Sequence, residues 1–559
     1  MGRRENREAT EKSKLLIKIL IVVVAIIIIT FIGLKIYNNI RNARPNNANL
    51  VINNNNVTSK LKKDVIIEND TVYLSQEDIK NFFDKYIYKD EETNQIITTY
   101  EKKIAALKLD SKKVTINGAE KQINSQLKQE NDTIYLPMTE LDDVYNVEIT
   151  YNNNTNFVTM DSLDREQVKA YASKNLSVKE KPSAFSWMTD KVNKGNWLIF
   201  ASDANDGWAK VRTQNGKVGY VKKDKLANFD TVRENMKEEK QIEGNVNIAW
   251  DYFSEYKQAP NRNGTKIDGI NVVSPAFFMV NSKGEYHENI GKNGEAYIEW
   301  AKSNGYKVWP MLSSNSNDGI DVRSEILNSY EKRQKLIEVI VDSCVKYKLD
   351  GINIDFEYMY EKDKDVFSRF IIELEPRMSE IGAVLSVDVT APDGAPTWSM
   401  CFDRNVIGDV ADYIIFMAYD QNSGKKVGTG AGYNWVETNL KKFIETEEIK
   451  PEKIVLACAF YSRLWTENGD DISSNIVNMK DINKAIPSNV EKKWDDTLKQ
   501  DYVEYTEKNA TKKMWIEDEK SIKEKLNLIS QYKLGGIASW EIDRASNEIW
   551  DIIKSGLNK

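Results

Sequence analysis

The stretch DGINIDFEYMY, Asp350 to Tyr360, decides how the second half of this 559-residue chain is read. Ile352, Ile354 and Phe356 alternate with Asn353, Asp355 and Glu357, the period-two pattern of a strand with one apolar and one polar face. The polar face sets two carboxylates and an amide side by side. Like charges that close raise each other's cost, so a strand that only built a fold would seldom carry them. The pattern points to a site, and the amide among the acids needs a reason of its own.

Working outward, short apolar strands alternate with amphipathic helices from Asn245 onward. The strand candidates are NVNIAWDYF, DGINVVSPAFFMV, YKVWPMLSS, LDGINIDFEYM, AVLSVDVTAP, ADYIIFMAYD, KIVLACAFYSRLW and LGGIASWEID. Eight such β/α units predict an α/β fold, a (β/α)8 TIM barrel over residues 240–559, with an insertion after strand seven. The insertion contains KKWDDTLKQDYVEYTEKNATKKMWIED, whose aromatic residues suit either core packing or sugar stacking. DGINIDFEYMY is then strand four, and its end reaches the C-terminal rim where active sites of this fold sit.

Four strand ends supply rim residues. Strand four offers Asn353, Asp355 and Glu357; strand six, in FMAYDQN, offers Met417, Tyr419 and Asp420. Strand seven, in FYSRLW, offers Tyr461 and Arg463; strand eight, in SWEID, offers Trp540. Carboxylates, a phenol and aromatic rings in one cleft suit a carbohydrate, whose ring faces stack on indole and whose hydroxyls need acceptors. Glu357, pressed by the Asp355 charge, can stay protonated near neutrality and serve as a general acid.

The N-terminal half reads as a series of modules. LLIKILIVVVAIIIITFIGL carries Lys18 as its only charge, and twenty helical residues span roughly 30 Å, the thickness of a bilayer core. Residues 15–36 are expected to form one transmembrane helix, with a cytoplasmic tail at 1–14 and the rest of the chain outside the cell membrane. Arg3, Arg4, Arg7, Lys12 and Lys14 precede the run, in keeping with a basic inner flank. An Asn-rich linker follows at 37–59. ENDTVYLSQEDIKNFF and ENDTIYLPMTELDDVY then echo each other from Glu68 and Glu130, predicting a small α+β domain of pseudo-symmetric units at 60–161. At 167–228 short strands and turns predict a small all-β barrel.

Composition sets outer bounds. Net charge is −7, which argues against nucleic acid as a partner. Cys344, Cys401 and Cys458 lie in apolar surroundings and read as buried thiols. The single His287 has no His or Cys neighbour in sequence, so no zinc site is expected, and no cofactor or metal is implied.

Three resemblances add to this reading. Asp350-Gly-Ile-Asn353-Ile-Asp355-Phe-Glu357 resembles the DxxDxDxE signature of glycoside hydrolase family 18, with MAYD and Trp540 in matching order. The family implies retaining catalysis without an enzymic nucleophile: the substrate's 2-acetamido oxygen attacks the anomeric carbon and forms an oxazolinium ion. Under that resemblance Glu357 is acid and then base, Asp355 orients the acetamido nitrogen, and Tyr419 bonds the acetamido oxygen. Met417 and Asp420 shape the subsite and Trp540 floors it. Asn353 departs from the chitinase pattern, where an Asp can share a proton with the next Asp; an Asn can hydrogen-bond Asp355 but holds no charge.

The Asn variant, with VVSPAFF, FYSRLW and the insertion, resembles the branch of spore-cortex and wall-lytic N-acetylglucosaminidases. Residues 60–161 resemble the copper amine oxidase N-terminal-like domain, here without His or Cys to bind copper. Gly207-Trp208-x-Lys210-Val211 and Gly216-x-x-Gly219-Tyr220-Val221 resemble a bacterial Src-homology-3 barrel, which implies wall-peptide binding; Trp208 and Tyr220 serve equally as the core of a small barrel. The expectation is a membrane-anchored glycosidase cutting after N-acetylglucosamine in peptidoglycan. Chitinase-type hydrolysis of another N-acetylglucosamine polymer, and a catalytically weak glycan-binding wall protein, stay open as alternatives.

Overall fold

The computed structural model describes residues 14–33, 47–235, 242–254, 258–314 and 316–557. Residues 1–13 of the expected tail, the last residues of the expected membrane span and the first part of the linker lie outside these. The helix Lys14–Gly33 is apolar and long enough to cross a membrane. The described residues fall into two compact units, one within Met1–Ile87, Leu107–Val114 and Glu120–Glu238, the other within Tyr88–Ala106, Thr115–Ala119 and Glu239–Lys559.

The first unit is built mainly of strands. In the echoed segments, Asn69, Asp70 and Asn131 adopt positive φ, which Asn and Asp tolerate better than most residues. The strands that follow, Thr71–Ser75 and Thr133–Pro137, pair antiparallel with each other, Tyr135 opposite Ser75. The echo is thus a pair of matching strands across one sheet. Its helical ends differ: Gln76–Phe82 is α-helical and capped by Ser75, while Met138–Glu140 makes a single 3-10 turn. Beyond them, a seven-stranded sheet runs from Gln167 to Arg233. There Trp208 is buried and Tyr220 half-buried. Arg212 makes a buried bidentate ion pair with Asp161, at 2.7 and 2.5 Å.

The second unit holds the barrel. Its strands are β1 (Val246–Asp251), β2 (Val272–Pro275), β3 (Met311–Ser314), β4 (Gly351–Phe356), β5 (Val384–Val389), β6 (Tyr413–Met417), β7 (Ile454–Ala459) and β8 (Gly536–Trp540). Each is parallel to the next, and β8 pairs with β1 to close the ring. Between β2 and β3 the partner is Lys307–Val308, set off from β3 by Trp309 and Pro310; a proline has no N–H to give the ladder. Gly351 is required where β4 begins, because a Cβ there would meet Trp309 Cδ1 and the Val384 carbonyl at 2.7 Å.

The alternation in the strands separates two cores. Ile352, Ile354, Phe356, Leu385, Val387 and Phe416 face outward into the layer shared with the helices. Val246, Ile248, Trp250, Val272, Met311 and Ile415 fill the barrel interior. Between β7 and β8 the chain builds a five-stranded antiparallel sheet, Tyr461–Asn468 through Ala510–Ile516. Within it Tyr502 packs on Trp515, ring centroids 4.8 Å apart.

Candidate active site

With the isoleucines of β4 turned outward, Asn353 and Asp355 point inward, 1% and 5% exposed. The Asn353 amide is oriented by an indole: Trp250 Nε1 donates to Asn353 Oδ1 at 2.8 Å. An indole N–H can only donate, so the amide nitrogen must face the other way. It does, donating to Asp388 Oδ1 at 2.8 Å and Ser386 Oγ at 3.2 Å, both on β5.

The expected bond from Asn353 to Asp355 is not made, and strand geometry gives the reason. Residues i and i+2 on one strand lie about 6.6 Å apart, whereas neighbouring strands lie about 4.8 Å apart. A short amide therefore reaches across strands rather than along its own. Asp355 Oδ1 is buried with no hydrogen-bond partner among the described residues.

Asp350, first of the acidic series, sits at the other end of β4. It accepts from the Val308 N–H at 3.0 Å and from Lys307 Nζ at 3.1 Å, which makes it a fastener between strands, remote from the rim.

Glu357 follows β4 and is half-buried. Its carboxyl is raised well above the usual carboxylate range by burial, then by the charges of Asp355 and Asp420; Arg323 opposes them. Burial pushes the Asp355 carboxyl up to about 7. Asp388, 2% exposed, is raised by burial first and then by Asp355. Tyr419, just beyond β6, is raised far above an ordinary phenol by burial and by the surrounding oxygens, so it stays a neutral O–H donor.

Trp540 ends β8 and packs against Trp250 and Tyr252, ring centroids 5.7 Å away in both cases. Met417 is buried at the end of β6. Asp420 accepts from Tyr461 Oη at 2.9 Å and from Arg463 Nη2 at 2.7 Å. These three and Tyr419 line one small cavity, to which Trp515 of the inserted sheet also contributes. Seven of the nine site residues expected from sequence lie on or just beyond β4, β6 and β8, whereas Tyr461 and Arg463 belong to the first strand of the inserted sheet and not to β7; together they form two groups. One is the acid cluster with Trp250 and Trp540 beside it; the other is the Asp420–Tyr461–Arg463 cluster.

Sequence reasoning missed Asp388, Trp250 and Arg323. For Asp388 a signal was present: LSVDVT alternates Ser386, Asp388 and Thr390 with Leu385, Val387 and Val389, the same pattern that singled out β4.

A closed parallel barrel with clustered rim carboxyls beside two indoles packed edge to face is an arrangement that fits a glycoside hydrolase. The chain belongs to glycosyl hydrolases family 18, whose family model matches residues 249–545. The copper amine oxidase N-terminal domain model matches residues 51–160.

Among curated proteins the chain is 25% identical over 300 residues to the uncharacterized glycosylase YvbX of Bacillus subtilis, covering 51% of this chain and 85% of that one. It is 25% identical over 260 residues to the cortical fragment-lytic enzyme of Bacillus cereus, covering 44% of this chain and 60% of the relative. A 66-residue stretch is 38% identical to the cell wall-binding protein YwsB of Bacillus subtilis, 11% of this chain and 37% of that one. The solved Bacillus megaterium spore cortex-lytic enzyme SleL aligns with a TM-score of 0.49 at 19% identity, over 65% of this chain and 89% of that one.

Proposed function

We propose that the protein is a membrane-anchored cell-surface glycosidase that hydrolyses β-1,4 bonds after N-acetylglucosamine in peptidoglycan. The observation that carries this is a Glu357 carboxyl raised well above the usual range by burial, set near a buried Asp355 oxygen without a hydrogen-bond partner among the described residues and near Tyr419. A general acid needs its proton near neutrality, and burial supplies that for Glu357. An acetamido group needs an acceptor for its N–H and a donor for its oxygen; Asp355 and Tyr419 offer one of each.

Glu357 protonates the leaving oxygen as the acetamido oxygen attacks the anomeric carbon. Asp355 holds the acetamido N–H and Tyr419 its oxygen, and Trp540 supports the sugar face. The Glu357 carboxylate then takes a proton from water, which opens the oxazolinium ion with retention. Wall polymer as substrate is supported by relatives named for cortical fragment lysis and cell-wall binding. Anchoring is supported by the apolar helix Lys14–Gly33, with the catalytic domain outside the cell.

The full chain in detergent, and its Glu357→Gln variant, should be incubated with purified peptidoglycan and separately with chitin oligomers. Mass spectrometry of new reducing ends is expected to give N-acetylglucosamine ends from peptidoglycan, absent with the variant. Ends of N-acetylmuramic acid, or cleavage of chitin alone, would sink the reading.

A further inference from the structure

The mechanism above uses Asp355 and leaves Asp388 unexplained. A carboxyl on the inward face of a barrel strand, 2% exposed and matched by no cation within ion-pair distance among the described residues, is expensive. It sits where β5 runs beside β4: Asn353 is opposite Ser386 and Ile354 opposite Val387, so the next step along both strands sets Asp388 beside Asp355.

The groups facing Asp388 are few. From β4 come Asn353, Asp355 and Glu357, and from β6 comes the Tyr419 phenol. Asn353 donates to Asp388 Oδ1, and Trp250 fixes the amide so that it cannot turn to accept there. Oδ1 is thereby held as an acceptor, and a proton on Asp388 belongs on Oδ2. Two carboxyls side by side in a buried site do not both ionise; they share a proton and titrate as a pair. Asp355 Oδ1, with no partner of its own among the described residues, completes the pair's unfilled capacity.

We propose that Asp388 is a positioning residue for the glycosidase reaction: it shares one proton with Asp355, so that β5 supplies the carboxyl that Asn353 does not. The idea rests on the glycosidase reading and deepens it. One proton moves between the two carboxyls, from Asp355 to Asp388 Oδ2, as the acetamido N–H arrives at Asp355. No net charge enters or leaves the site, and the acid proton of Glu357 is not drawn on.

The test uses the full chain in detergent, with chitotetraose and purified peptidoglycan as probes. Asp388→Asn is isosteric and is expected to lower kcat about 10–100-fold with KM changed less than about threefold, and to reshape the acid limb of the pH profile. Asn353→Asp combined with Asp388→Asn returns the acid to β4 and is expected to recover most of that loss. A single variant with unchanged kcat and pH profile, or a double variant no better than the single, overturns the proposal.

A second readout needs no turnover. Infrared difference titration of the unliganded protein should show Asp355 and Asp388 titrating as a coupled pair in the parent chain, and one site carboxyl step fewer in Asp388→Asn, with the Asp355 step no longer coupled to it. Independent steps in the parent chain overturn the proposal even if activity is present. If the parent chain cuts neither probe, the glycosidase reading falls, and the infrared result alone decides whether the proton is shared.

Discussion

Arg323 offers the sharpest test of how the acid is held. It sits on the helix Ile320–Asn328, 3% exposed, and donates to Ser314 Oγ at 2.8 Å, the Ser316 carbonyl at 3.0 Å and the Tyr358 carbonyl at 2.9 Å. Tyr358 directly follows Glu357 and has φ 52, a left-handed conformation costing a residue other than glycine about 1–3 kcal/mol. A hydrogen bond from a charged donor is worth about 1.5–3 kcal/mol, enough to hold that turn.

Arg323→Leu removes the bond and leaves the strain unopposed. The productive turn should then fall in population, and kcat with it, by about 5–150-fold. The same change removes the positive charge that favours ionised Glu357. The acid form then persists to higher pH, so the basic limb of the kcat profile should move up. Combining it with Tyr358→Gly should restore part of kcat, because glycine takes the left-handed conformation freely. Reducing-end release from chitotetraose across pH measures all three. An unchanged kcat, a basic limb moving down, or a double variant no better than the single would refute the reasoning.

Two further outcomes concern the paired indoles Trp250 and Trp540. Trp540→Ala removes the ring that packs on Trp250 and Tyr252 and should raise KM about tenfold, the loss of a stacking contact of about 1.4 kcal/mol; inhibition by chitobiose checks it independently. Trp250→Phe strands the buried Asn353 Oδ1 and should cost about 1–3 kcal/mol, read as a lower midpoint in thermal unfolding of the barrel.

Where a property depended on a single strand, the sequence displayed it. Alternation in β4 separates the outward Ile352, Ile354 and Phe356 from the inward Asn353 and Asp355 with no knowledge of neighbours, and the order of rim residues follows from the order of strands. Properties that depend on register were hidden. The partner of Asn353 is decided by which residue of β5 lies alongside, and local pattern favours Asp355, nearer in sequence but farther in space. Arg323 is harder still: it lies on a helix among ordinary polar residues, and only the packed chain reveals that it grips the carbonyl of Tyr358, next to Glu357. The echo at Glu68 and Glu130 was legible as repetition, whereas the pairing of its two strands was not.

The buried acids also set how stability should follow pH, and the sign separates function from packing. Asp355, Asp388 and Glu357 all have folded-state values above those of exposed carboxyls. Below about pH 4 both folded and unfolded chains hold these protons and no penalty arises. As pH rises, the unfolded chain releases them first, so stability is lost through the window that ends at the folded values. For Asp355 that window runs from about 4 to about 7, a loss of at most about 4 kcal/mol. Replacing Glu357 by its amide removes its own contribution and also the charge that raises Asp388, and both changes stabilise the variant at high pH. Glu357→Gln should therefore be more stable than the parent chain at pH 8, and its advantage should shrink as pH falls toward 4. Thermal midpoints of the two proteins at a series of pH values give the comparison directly. A difference independent of pH would mean that Glu357 is an ordinary solvated carboxylate, and the case for a protonated acid at neutrality would fall with it.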